Sequence, residues 1–290
     1  RKRQKNMVVL VTGANGQLGQ SLQFIAEKYP QIDFVFCDSK VLDITQKAGI
    51  ESVFNKIKPD FCINTAAYTA VDKAETETEK AEAINVTGVK NLAEICKEFK
   101  TQLIHVSTDF VFDGTKKTPY TEEDIPNPKS VYGQTKLDGE KAVQAILEDY
   151  FIIRTSWVYS QFGANFMKTM LRLGAERDSL SVVNDQIGTP TNAVDLAEAL
   201  VQIVVFVSQH PTHKVSGIYN FSNEGSCSWF DFAKKIFENN TINIDLQPIP
   251  TSSYPTPAQR PKYSVLDKTK IKLVFGIAIK GWEESLSNCL

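Results

Sequence analysis

Between a β-branched run, Val8–Thr12, and a stretch of helical period from Gln17 to Lys28 stands Thr12-Gly13-Ala14-Asn15-Gly16-Gln17-Leu18-Gly19. No other feature narrows the fold so far. A strand that passes into a helix through so short a turn lays the helix back against its own sheet, the first half of a βαβ unit. The glycines at 13, 16 and 19 let the backbone turn tightly and approach a pyrophosphate, whose charge meets free amides and the positive end of the helix. Their spacing is not the Gly-x-Gly-x-x-Gly of ordinary dinucleotide-binding dehydrogenases. Asp38 follows Gly19 by 19 residues, at the end of the expected second strand. A carboxylate there accepts hydrogen bonds from the adenosine ribose and favours NADH, while Ser39 and Lys40 suit a 2′-phosphate, so NADPH and NADH both stay open. Asp43 and Ile44 are placed to flank the adenine, and Ala66 and Ala67 to let a dinucleotide lie close against backbone.

The alternation continues. Phe34–Cys37, Phe61–Asn64, Leu103–Ser107 and Phe151–Thr155 read as strands, and Lys47–Ile57, Ala81–Phe99 and Tyr132–Ile146 as helices. That is an α/β fold, a doubly wound parallel sheet of Rossmann-like type. Past Trp157 the rhythm weakens into helices Ala164–Glu176 and Val194–Ser208, a strand Gly217–Asn220, and a helix opened by a capping box at Ser228 to Asp231. Pro248–Pro261 carries five prolines and is excluded from regular structure. We divide the chain into a dinucleotide-binding core, residues 1–157, and a smaller C-terminal lobe, residues 158–290, mostly substrate-binding, with some segments returning to the core. The polar, basic stretch Arg1–Asn6 reads as a frayed tail leading into the first strand.

Charge and cysteine usage limit the partners. The 32 basic and 34 acidic residues are interspersed and sum to −2, so neither nucleic acid nor a membrane surface is expected and a small molecule is. The most apolar long window, Ala193–Val207, still holds Asp195, Glu198 and Gln202, which makes it a core-facing helix. Five widely spaced cysteines suggest neither a disulfide framework nor a thiolate metal site and fit a reducing cytoplasm. With three histidines and no His-Glu-x-x-His, a zinc mechanism has no support.

Tyr132-x-x-x-Lys136 puts a phenol and an ammonium one helical turn apart, behind the loop that follows the fourth strand, at the carboxyl edge where such sheets bind ligands. A phenol of pKa roughly 10 is a poor acid at neutral pH, but a close ammonium and an oxidised nicotinamide both favour phenolate. In reduction Tyr132 would give its proton to a carbonyl oxygen as hydride reaches the carbon. Thr108, ending the fourth strand, supplies a hydroxyl to hold the same oxygen. Asn85 reads either as an orienter of Lys136 through water or as a capping or solvated side chain. His105 reads as a packed core residue.

Together, Thr-Gly-x-x-Gly-x-x-Gly, Ser107-Thr108-Asp109-Phe110-Val111-Phe112-Asp113-Gly114 and Val131-Tyr132-Gly133-Gln134-Thr135-Lys136-Leu137-x-Gly139-Glu140 closely resemble the dTDP-4-dehydrorhamnose reductases. Later segments agree, among them Arg154 to Tyr159, Asn165-Phe166, Asn184 to Thr191 and Pro250 to Pro261. The resemblance implies NAD(P)H-dependent reduction of dTDP-4-dehydro-L-rhamnose to dTDP-L-rhamnose, with Thr108, Tyr132 and Lys136 as the catalytic trio. It further implies a sugar site at Thr108, Asp109 and Trp157, beside which Asn165 is a further substrate-binding candidate, and cofactor contacts from Gly16, Gln17, Leu18, Asp43, Ile44, Ala66, Ala67, Tyr68 and Lys136. Some family members bind Mg²⁺ through glutamates at a dimer interface; Ser21 and Val194 stand where acids would be wanted, so no metal is expected. Arg260 is a candidate bidentate fork for the substrate diphosphate. The expected protein is a cytoplasmic monomer or homodimer acting on a dTDP-sugar. Two rivals share the fold. A sugar-nucleotide dehydratase or epimerase would cycle bound NAD, but Phe110 stands where related dehydratases carry a glutamate. A non-catalytic relative, like the regulatory subunit of methionine adenosyltransferase, would have no need of an intact Thr108, Tyr132 and Lys136.

Overall fold

In the computed structural model, which describes residues 5–289, the β-branched runs become six parallel strands: β1 (Met7–Thr12), β2 (Ile32–Phe36), β3 (Phe61–Asn64), β4 (Gln102–Thr108), β5 (Phe151–Thr155) and β6 (Gly217–Asn220). Their order in the sheet is β6–β5–β4–β3–β1–β2. The order reverses at β1, whose neighbours are β2 and β3, so the connections diverge there and leave a crevice at the carboxyl ends. The main helices are α1 (Gln17–Ile25), α2 (Lys47–Ile57), α3 (Val89–Phe99), α4 (Val131–Ile146), α5 (Phe166–Glu176), α6 (Ala193–Gln209) and α7 (Trp229–Asn239).

Near-continuous apolar strands are buried on both faces. On one, Val9, Val11, Ile63, Ile104 and Ile153 pack with Leu22 and Ile25 of α1 and Leu196, Leu200 and Val204 of α6. On the other, Leu10, Cys62, Leu103 and Ile152 meet Ile50 and Phe54 of α2, Leu92 and Cys96 of α3, and Val143 of α4. A separate cluster gathers Tyr159, Met167, Val182, Phe232, Ile236 and Trp282 from the second half of the chain. The capping box forms: Ser228 Oγ accepts from Asp231 N at 3.0 Å, and Asp231 Oδ2 accepts from Ser228 N at 3.1 Å.

Two expectations are corrected. The helix read across Ala81–Phe99 is not uniform: Thr78–Glu82 is α-helical, Ala83–Gly88 is π-helical, and α3 resumes at Val89. The extra residue in that turn accompanies Asn85 facing inward. Pro248, assigned to irregular structure, lies in a strand, Asp245–Ile249, parallel to Ser179–Val183. A two-stranded ladder leaves an edge where proline's missing N–H is no loss. The 3₁₀ turn Thr251–Ser253 follows. Of the tail read at Arg1–Asn6, residues 1–4 lie outside the described residues; Asn6 Nδ2 donates to Asp33 Oδ1 at 2.9 Å.

Candidate active site

The phosphate turn closes as its glycines require. Gly13 holds φ +63°, and a Cβ there would stand 2.7 Å from both Ala66 N and Thr65 Oγ1, so a side chain would be strained in backbone and blocked in space. Gly16 is the N-cap of α1 and offers no side-chain cap, which leaves the amides of the first turn open. Leu18 drops into the core and Gly19 packs on the Gly13 carbonyl. Gln17 reaches across to the second half of the chain: Nε2 donates to Val158 O at 3.2 Å and Oε1 accepts from Ser160 Oγ at 3.0 Å.

Beyond β2, Asp38 Oδ1 accepts from Lys40 N and Val41 N, both at 3.0 Å, and Oδ2 from Asn15 Nδ2 at 3.3 Å. The carboxylate therefore braces its own turn against the phosphate turn, while Ser39 and Lys40 are exposed. Asp43 caps Thr45, accepting from its N at 2.9 Å and its Oγ1 at 2.7 Å. Ile44 is buried; Ala66 and Ala67 are half-buried at the end of β3.

Asn85 does not reach Lys136. Its Oδ1 accepts from Tyr68 N at 2.9 Å, and its Nδ2 donates to Tyr68 O at 3.0 Å and Thr135 Oγ1 at 3.1 Å. It fixes the backbone after β3 to α4, and Tyr68 then donates its hydroxyl to Glu77 Oε2 at 2.6 Å.

Helix α4 carries the phenol and the ammonium. Ser130 caps it, Oγ accepting from Gly133 N at 3.0 Å. The first turn lies so near the 3₁₀ turn Asp109–Val111 that a Cβ on Gly133 would meet Phe110 O at 2.2 Å. That approach sets Tyr132 beside the end of β4, its ring edge-on to Phe110 at 5.5 Å and 72°. Burial pushes the Tyr132 phenol up to about 12, the facing Thr108 hydroxyl pulls it part-way back, and the charge of Asp109 adds to the rise. Lys136 donates to Val106 O at 2.8 Å; burial pulls it down to about 8, against the charge of Glu140. Asp109, 1% exposed, is raised to about 6 by burial, with the Ser264 and Thr108 hydroxyls opposing, and its Oδ2 has no partner among the described residues. His105 is a packed residue: Asn64 Nδ2 lies 3.0 Å from Nδ1, and burial holds the ring well below the usual imidazole range.

Thr108, Asp109, Tyr132 and Lys136 thus converge at one edge of the sheet. The remaining three candidates each have a partner within the protein. Asn165 caps α5, Oδ1 accepting from Lys168 N at 3.1 Å and Nδ2 donating to Ser160 O at 2.7 Å. Arg260 forks onto Asp72, with Nη2 on Oδ2 at 2.9 Å and Nη1 on Oδ1. Trp157, at φ +47°, stacks on Trp229 with centroids 3.6 Å apart and planes 13° apart. Sequence reasoning missed Trp229, and it missed the buried set Ser107, Glu140 and Arg154 behind Lys136. Glu140 had a signal, since it continues the Tyr132, Lys136 face by one more turn.

The family model for the RmlD substrate binding domain matches residues 7–290. A dTDP-4-dehydrorhamnose reductase of Aggregatibacter actinomycetemcomitans is 43% identical over 286 residues, 97% of each chain. A crystal structure of a dTDP-4-dehydrorhamnose reductase from Clostridium acetobutylicum superposes with a TM-score of 0.91 at 43% identity, covering 98% of both chains. Another, from Bacillus anthracis in complex with NADP, gives 0.90 at 40% identity over 98% of both.

Proposed function

The chain belongs to the dTDP-4-dehydrorhamnose reductase family, and from that premise we propose that it reduces the 4-ketone of dTDP-4-dehydro-L-rhamnose with NADPH or NADH, Tyr132 giving the proton. The observation that carries this reading is the convergence of Thr108, Tyr132 and Lys136 at the carboxyl edge of β4. The tight Gly13 turn and the uncapped first turn of α1 fit a dinucleotide pyrophosphate. When bound, the reduced nicotinamide supplies the hydride. Thr108 holds the carbonyl oxygen, Tyr132 delivers a proton to it, and the Lys136 charge lowers the cost of the phenolate left behind. With its pKa raised by burial, Tyr132 enters the reaction protonated but is a weak acid on its own, so the Lys136 charge is what makes the transfer feasible.

Gly13, Gly16, Gln17, Leu18, Gly19, Asp38, Asp43, Ile44, Ala66, Ala67 and Tyr68 form the proposed cofactor wall; Thr108, Asp109 and Trp157 form the sugar side. Asn165 and Arg260 are assigned to shaping the segments around it. The division at residue 157 is supported by the separate apolar cluster of the second half, with α6 and β6 packed into the sheet core as returning segments. We further propose a cytoplasmic monomer or homodimer that engages no nucleic acid and no membrane; no described helix is long and apolar enough to cross one.

One assay tests the reading. Purified protein mixed with 4-keto dTDP-sugar should consume NADPH or NADH in step with product. Turnover of sugar without loss of reduced cofactor overturns it in favour of internal redox, and no turnover at all in favour of a binding protein.

A further inference from the structure

Lys136 is 3% exposed, and its Nζ rests on a carbonyl oxygen, Val106 O. A neutral oxygen is a weak anchor for an ammonium out of water. One turn farther along the same face of α4 stands Glu140, 1% exposed and fixed on both oxygens. Arg154 Nη2 donates to Oε1 at 2.7 Å, Arg154 Nε to Oε2 at 3.1 Å, and Ser107 Oγ to Oε2 at 2.5 Å. The guanidinium in turn lies 5.2 Å from the centroid of Phe112. Ser107 and Arg154 are register partners on β4 and β5, so the carboxylate is held by the sheet itself. A buried ion pair of this kind is often no more stabilising than apolar side chains of the same volume, so stability alone is a poor account of it.

Resting on the reductase reading above, we propose that Glu140, clamped by Arg154 and Ser107, is a positioning residue that keeps the Lys136 ammonium charged and aimed at the end of β4. The other titratable groups around Lys136 do not supply that charge. His105 is neutral in its strand, Tyr132 is protonated, Arg154 is cationic, and Asp109, raised by its burial, is bonded to the Thr108 hydroxyl. Burial pulls Lys136 down, and Glu140 pulls it back.

The test is the pH dependence of kcat/KM and of NADPH affinity, measured by cofactor fluorescence, between pH 6 and 9.5. The wild-type alkaline limb should fall near pH 8. In Glu140→Gln it should move at least half a pH unit toward acid, leaving kcat/KM close to wild type at pH 6 and about threefold or more below it at pH 8.5. NADPH affinity should follow the same shift. Should the single variant unfold around its unpaired Arg154, Glu140→Gln/Arg154→Met removes both charges and should show a smaller displacement in the same direction, since the repulsion from Arg154 goes with the attraction of Glu140. A folded variant that loses rate equally at every pH, or two variants that both fail to fold, makes the pair structural and overturns the proposal. Wild-type protein that oxidises no NADPH overturns the reductase reading instead, and the pH dependence of NADPH affinity then still decides on Glu140.

Discussion

Replacing Tyr132 by phenylalanine removes one oxygen and leaves the ring edge-on to Phe110, so the site loses its proton donor and little else. We expect Tyr132→Phe to lower kcat by on the order of 10²–10⁴ with NADPH affinity unchanged; near-normal turnover would remove Tyr132 from the chemistry. Asp109 gives a test through stability. Its folded pKa of about 6 exceeds the roughly 4 of an unfolded chain. A carboxyl whose pKa rises on folding costs stability above pH 6, where both states ionise it, and the cost vanishes as pH falls toward 4. Asp109→Asn should therefore raise Tm at pH 8, with the gain shrinking to nothing near pH 4. A gain that is constant with pH would show that this carboxylate is not the strained one.

At the scale of elements, the turn after β2 decides cofactor choice. Three donors already meet the Asp38 carboxylate, which softens its repulsion of a 2′-phosphate while Ser39 and Lys40 stay exposed to receive one. The kcat/KM ratio between NADPH and NADH should be modest; a preference beyond roughly 10³, about 4 kcal/mol, would show one group in command. The sheet and its helices were legible because both follow local periods: α2 occupies its expected span, Lys47–Ile57, and β5 its own, Phe151–Thr155. Thr108, Tyr132 and Lys136 were legible because a strand end and a four-residue helical spacing are local too. What stayed hidden has no period. The pairing of Ser179–Val183 with Asp245–Ile249, the inward turn of Asn85 and the stack of Trp157 on Trp229 join residues that only the folded chain brings together.

Across the whole molecule, Arg260 and Asp72 are 188 residues apart and fasten the proline-rich strap to the short helix Val71–Ala74 beyond β3. Side chains exposed to this degree yield under about 1 kcal/mol from such a pair, so Arg260→Met and Asp72→Ala should barely move Tm. If the pair orders the strap, both variants should raise KM for the nucleotide sugar by the same factor, measured at saturating NADPH. A rise with Arg260→Met alone would instead assign the guanidinium to the substrate diphosphate. The stack described for Trp157 has an optical side. The chain holds three tryptophans, and two of them lie face to face at 3.6 Å. Indoles so placed share their strong far-ultraviolet excitation, which prints a band of paired sign in the circular dichroism there. A sugar that parts Trp157 from Trp229 erases that band while Trp282 goes on absorbing as a lone chromophore, so the protein carries its own unlabelled gauge of what has entered it.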